Sequence, residues 1–230
     1  MKQPTMAGDT QTSVEKFSAG AARLLPLWEI ASVITSCLIA EWAVLVFVGP
    51  SKLVMAIPVT LAFAFMLYSH RERGETLRDV GFRTDNFLVS CRMLLLPTAL
   101  AVLAIISLGW LTRHGQFGAP WRWRFAALPL WALFQQYVLN GFINRRAQMA
   151  LGSGPKSIAL VAIAFGILHL PSPLLAGLTL VAGGLWAFVY QRAPNLYALA
   201  LSHAVASLTL ALSVSPHWLN GLRVGFKYFG

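Results

Sequence analysis

The sequence predicts an all-α protein, a polytopic bundle of seven or eight transmembrane helices. Three observations carry that expectation. Of 230 residues, 57% are hydrophobic and only 11% charged, whereas soluble domains carry about 25% charge. The mean hydropathy is +0.65. The apolar residues also fall in long blocks, several of about 20 residues, the length that crosses a hydrocarbon core at 1.5 Å per residue. Intrinsic disorder is excluded, because disordered chains are poor in apolar residues and rich in charge. A water-soluble globule is excluded because so few charges cannot cover its surface.

Residues 1–22 are small and polar and read as a tail, with a single bundle domain over 23–230. The apolar blocks run about 24–48, 53–69, 87–110, 125–147, 157–169, 174–190 and 196–214. The aromatic, basic segment after 215 is either interfacial or an eighth short span. Block one starts too late and runs too long for a cleavable signal peptide. The stretch from Arg71 to Asn86 reads as a short interfacial helix or a charged loop. Thr76 three residues before Asp79 makes a weak capping box, with Leu77, Val80 and Phe82 toward the membrane.

The net charge of +10 is read as orientation rather than nucleic-acid binding, since Lys and Arg collect in loops. Counting alternate sides places Lys2, Lys16, Arg23, Arg71, Arg73, Arg78, Arg83, Arg92, Arg145, Arg146, Lys156 and Arg192 together. Lys52, Arg113, Arg122, Arg124, Arg223 and Lys227 lie opposite. The larger group belongs in the cytoplasm, and with it the N-terminus. Cys37 and Cys91 sit inside apolar blocks without a CxxC spacing, so neither a disulfide framework nor a thiolate metal site is expected. The absence of an internal repeat counts against a transporter.

Polar side chains in lipid are costly and face a bundle interior or cavity, which singles out three clusters. Gln136, Asn140 and Asn144 share one helical face in block four, with Gln135 beside them. Taken alone, these are interhelical hydrogen-bonding residues. His169 closes block five, where Pro171 and Pro173 break the helix. His203 and Ser207 stand one turn apart in block seven. Together the three clusters predict one shared polar pocket. All eight Asp and Glu precede Asn86, so block four onward contains no carboxylate side chain. Glu29 and Glu41 are the acids within block one, and the sequence leaves open which of them enters the pocket.

The order and spacing of these clusters resemble the three motifs of the CPBP (CAAX protease and bacteriocin-processing, or Abi) intramembrane proteases, which include the type II CAAX prenyl endopeptidases. The family pattern EExxxR corresponds to Gln135-Gln136 and Asn140, followed by Gly141-Phe142. FxxxH is intact from Phe165 to His169, and HxxxN keeps His203 with Ser207 in the last place. The stretch from Leu77 to Arg83 is similar to a loop common upstream in the family, so the resemblance covers roughly 70–210.

The resemblance implies an intramembrane endopeptidase acting on prenylated or membrane substrates, with its activity impaired or altered by the Glu-to-Gln replacement. Gln135 and Gln136 would position water or substrate, His169 would be the base, and His203 with Ser207 would form the oxyanion site. Asn140, Asn144 and Phe165 would line the substrate pocket. Two alternatives stay open: a non-proteolytic member that binds a lipophilic ligand or membrane partner, and a lipid- or isoprenoid-modifying enzyme using His169 and His203. No metal or other cofactor is expected, because a catalytic zinc needs three protein ligands. The expected surroundings are the lipid bilayer, in a bacterial inner membrane, with no nucleic-acid partner.

Overall fold

A computed structural model describes residues 7–44, 52–111, 126–215 and 223–229. Among these residues every regular element is helical. Helix α1 spans Ala7–Leu38 and continues as a π-helical stretch, Ile39–Val44; α2 spans Lys52–Glu72; α3 is the single turn Leu77–Val80; α4 spans Phe87–Leu111. Helix α5, Leu128–Gln136, runs through a π-helical stretch, Tyr137–Asn144, into α6, Arg145–Leu151. Helices α7, Pro155–Ile167, α8, Pro173–Arg192, and α9, Leu196–Ser213, complete the bundle before a 3-10 turn at Gly225–Tyr228. Residues 7–22, read above as a tail, are part of α1. The segment 216–222, where an eighth span was considered, lies outside the described residues.

Among the described residues, four stretches are long and apolar enough to cross a membrane: Leu24–Trp42, Phe87–Leu111, Pro173–Arg192 and Leu196–Ser213, with Pro155–Ile167 shorter. The outward faces suit lipid. On α4, Leu95 is 70% and Leu96 67% exposed, an arrangement that places apolar surface against hydrocarbon at no hydration cost. The protein is an integral membrane protein by this composition.

Inside, α4 packs along α9, α9 along α5, α7 along α8, and α1 against α6. At the α4–α9 crossing the backbones meet. A Cβ on Gly109 would stand 2.1 Å from the Ser213 carbonyl oxygen, so only glycine permits that approach. The core joins Val33, Met66, Phe142, Ile143, Val161, Trp186, Tyr190 and Leu199.

The connection between α2 and α4 holds one end of the bundle. Its capping box is complete: Thr76 Oγ1 accepts from the Asp79 N–H, and the Asp79 carboxylate accepts from the Thr76 N–H. Val80 is buried, while Leu77 is exposed; Phe82 packs against the rings of Tyr137 and Tyr197. Glu75 is the focus of a buried ion network. It meets His70 Nδ1 at 2.5 Å, Arg146 at 2.9 Å and Arg145 Nε at 2.8 Å. Arg146, fully buried, also lies 2.9 Å from Glu29, which Arg73 and Ser69 hydrogen-bond as well.

Burial alone would raise the Glu75 carboxyl. Hydrogen bonds from His70, Arg146 and Arg145 outweigh it and hold the group well below its ordinary value of 4.5. A depressed folded-state value means Glu75 stabilises the fold above that ordinary value, and the contribution fades as pH falls toward the folded one. Replacing Arg146 with Met strips two buried carboxylates of a partner and is expected to cost about 3–5 kcal/mol, read from thermal unfolding in detergent. Glu75→Gln is expected to lower stability at neutral pH and to flatten the acid loss seen in the wild type.

Candidate active site

The break between α7 and α8 follows from two prolines. Helix α7 ends at Ile167, the chain turns through Leu168–Pro171, and α8 restarts with Pro173 at its first position. Proline lacks the N–H that an interior helical position must donate, whereas the first turn has no partner for it. The turn's backbone groups are satisfied within the protein: His169 N–H donates to Gly166, Leu170 N–H to Ile167, and the Leu170 carbonyl accepts from Gly225 N–H at 2.9 Å. Ser172 caps α8. The turn thereby presents the His169 ring inside the bundle.

One cavity of about 790 Å³ lies there, walled largely by apolar side chains from α1, α4, α5, α7, α8 and α9. Gln135, Phe165, His169, His203 and Ser207 all line it, together with Glu41, Cys37, Thr98, Thr179 and Ser202. Gln136, Asn140 and Asn144 stand behind that wall, each fully buried. Residues separated by 34 positions, His169 and His203, therefore face the same space, and the polar stripe of α5 supports it from the rear. Asn140 and Asn144, expected to line the pocket, instead form its support, because their carboxamides are used in bonding one another.

These amides form a directed chain. Gln191 Nε2 donates to Asn144 Oδ1 at 2.9 Å, Asn144 Nδ2 to Asn140 Oδ1 at 2.9 Å, and Asn140 Nδ2 to Gln136 Oε1 at 2.7 Å. With its oxygen so occupied, Gln136 points Nε2 at His203 Nδ1, 3.3 Å away. An amide N–H only donates, so His203 Nδ1 accepts, and the ring's proton sits on Nε2.

His169 has the opposite arrangement. Its Nδ1 lies 2.8 Å from the Phe165 carbonyl oxygen, which only accepts, so Nδ1 carries the proton and Nε2 keeps a lone pair. One histidine is thus a donor at Nε2 and the other an acceptor at Nε2. Their rings are fixed by neighbours. Trp186 stacks on His203 with centroids 4.4 Å apart, and Phe165 meets His169 edge-on at 4.6 Å. The Trp186 indole N–H donates to Ser202, which bonds Thr98.

The sequence clusters contain the two histidines, the glutamines and Ser207, but not Gln191 or Trp186. Gln191 carries a detectable signal, as an amide near the end of an apolar block, in register with no motif. Trp186 gives none, since an aromatic in such a block reads as core. The choice between the two acids of the first apolar block is resolved: Glu41 lines the cavity, while Glu29 belongs to the Arg146 network. Among the described residues no group of three or more His, Cys, Asp or Glu is placed to hold a metal ion.

Comparison with known proteins identifies a family. The family model described as type II CAAX prenyl endopeptidase Rce1-like matches residues 91–209. No curated protein and no solved structure matches.

Gln136→Leu leaves His203 Nδ1 and the Asn140 amide without partners. It is expected to destabilise the protein by about 1–3 kcal/mol. In ¹⁵N NMR of the imidazoles, the wild type should show one histidine of each tautomer, and the variant should lose the Nε2–H signature of His203.

Proposed function

The chain belongs to the Rce1-like type II CAAX prenyl endopeptidase family, and we propose that it is an intramembrane endopeptidase working through two neutral histidines of opposite tautomer. That opposition is the observation that carries the reading. The His169 Nε2 lone pair takes a proton from water as the water oxygen bonds to the substrate's carbonyl carbon. The carbonyl π pair moves onto oxygen, where His203 Nε2–H, with Ser207 beside it, donates to the developing oxyanion. Collapse breaks the C–N bond, and the leaving amine takes the proton held on His169. Gln135 orients water or the scissile amide, since a carboxamide donates and accepts but has no basic site near neutral pH.

The apolar cavity suits a substrate with a long hydrocarbon group, a prenylated or membrane-embedded peptide entering from the bilayer. We place the protein in a bacterial inner membrane with its N-terminus in the cytoplasm, on the basis of its loop charges. Turnover is slow by this account. A carboxylate at position 135 would be a stronger base than the amide present there, and general-base contributions run to about 10²–10⁴-fold.

A second reading rests on the neutrality of the amide chain: the cavity retains a lipophilic ligand bearing a carbonyl or hydroxyl, without cleaving it. In that case Gln135→Leu changes ligand retention, and no variant cleaves.

Purified protein in nanodiscs is expected to cleave a farnesylated membrane peptide, with the activity lost in His169→Ala and in His203→Ala. Gln135→Glu is expected to raise the rate by about 10²-fold or more. Cleavage that persists unchanged in both histidine variants rules out the two-histidine mechanism, and cleavage by neither the wild type nor Gln135→Glu rules out the endopeptidase reading.

A further inference from the structure

The reaction above forms an imidazolium at His169 inside an apolar cavity, and block four onward has no carboxylate side chain to balance it. One acid is nonetheless in the cavity. Glu41 lies on the π-helical stretch Ile39–Val44 at the end of α1, and among the described lining residues, which include no Lys or Arg, it is the one carboxylate; Lys227, on the 3-10 turn Gly225–Tyr228, is the cation that acts on it. Its buried Oε2 has no hydrogen-bond partner among the described residues, a costly condition unless the group serves something in the cavity.

Gly225 ties this acid to the histidine turn. Its N–H donates to the carbonyl of Leu170, the residue after His169. On its other side the approach to Glu41 is so close that a Cβ would stand 2.6 Å from the Glu41 carbonyl oxygen and 2.8 Å from its Cβ. Gly225 also has φ +58, in the region that favours glycine. One glycine thus holds the backbones of Glu41 and of the His169 turn on its two sides. The π-helical stretch fits the same picture, since such local widening concentrates at functional positions.

We propose that Glu41 supplies the negative charge that the family's first glutamate would have supplied, now from α1 instead of position 135. It is a positioning residue acting through His169: its carboxylate stabilises the imidazolium formed when water gives up its proton, and no bond to Glu41 is made or broken. In an apolar cavity such a charge pair interacts far more strongly than in water. This inference rests on the endopeptidase reading, and it explains how activity survives with glutamine at position 135.

The test moves the charge. With full-length protein in nanodiscs and the farnesylated peptide, Glu41→Gln is expected to lower kcat/KM by about 10²-fold with KM little changed. Glu41→Asp should retain part of the rate. The double variant Glu41→Gln, Gln135→Glu should recover activity, an outcome that a merely structural role for Glu41 does not produce. Circular dichroism and the thermal transition monitor folding of each protein. Glu41→Gln cleaving at the wild-type rate, while His169→Ala is inactive, overturns this inference and leaves the endopeptidase reading intact. Failure of the double variant to exceed Glu41→Gln, when Gln135→Glu alone is active, overturns it as well. Cleavage independent of His169 removes the histidine mechanism through which Glu41 would act, and absence of cleavage in every variant removes the endopeptidase reading itself.

Discussion

Arg146 is the largest fully buried side chain in the protein, and the placing of the site begins with it. A guanidinium in such surroundings is tolerable only if its charge is matched and its donors are used. Glu29 from α1 and Glu75 from the α2–α3 connection provide the match, and Ser69 on α2 accepts a further hydrogen bond. One side chain on α6 therefore fixes three other segments. Since α6 continues the helix that carries Tyr137–Asn144 and Gln136, fixing α6 sets the axial position of every amide behind the cavity.

From that anchored end the chain of carboxamides runs toward His203. Each member uses its oxygen as acceptor and its N–H₂ as donor, so reversing one amide would set two donors or two acceptors against each other at its neighbours. A single hydrogen bond between helices in a membrane contributes about 0.6–2 kcal/mol. The chain's larger consequence is directional: it ends on a donor and so selects one tautomer of His203. On the resemblance of Gln135-Gln136 and Asn140 to an EExxxR motif, charges would stand where this protein has neutral amides. The neutral set avoids burying charge, and it also transmits no net charge to the histidine. The polarity of this cavity then resides in which ring nitrogens carry protons.

The membrane made much of this legible in sequence. In lipid a polar residue is conspicuous, so Gln136, Asn140, His169, His203 and Ser207 stand out from apolar blocks, and Pro171 and Pro173 mark the turn that frees His169. The helical period places Gln136, Asn140 and Asn144 on one face, as found. What periodicity does not contain is depth. Asn140 and Asn144 look like pocket residues from their polarity, yet they are consumed by one another and by Gln191, which lies 47 residues beyond Asn144 in the chain. The Arg146–Glu75 pair spans 71 positions, a distance over which sequence spacing says nothing about contact. Glu29 and Glu41 likewise look equivalent in one apolar block. They differ because Glu29 comes level with Arg73, just past α2, and Arg146 of α6, whereas Glu41 lies about three turns further along, beyond those two cations.

That separation along α1 gives the two acids opposite tasks. Glu29 is saturated by Arg73, Arg146 and Ser69, so its charge is spent on holding helices together and none is left to act elsewhere. Glu41 faces a cavity with no Lys or Arg among its described lining residues, and the cation that acts on it, Lys227, belongs to the 3-10 turn at Gly225–Tyr228. Packing alone does not account for a carboxylate there whose buried Oε2 has no hydrogen bond among the described residues, because an apolar residue of similar volume would be cheaper at that position. The aromatic walls strengthen the argument. Trp186 and Phe165 fix both imidazole rings, so the histidines have little freedom to turn away from a charge that becomes favourable only once one of them is protonated. Rigid rings, fixed tautomers and one acid form a cavity whose electrostatics are set in advance by the fold, and the helices that set them are held in place by an ion network at the opposite end of the same bundle.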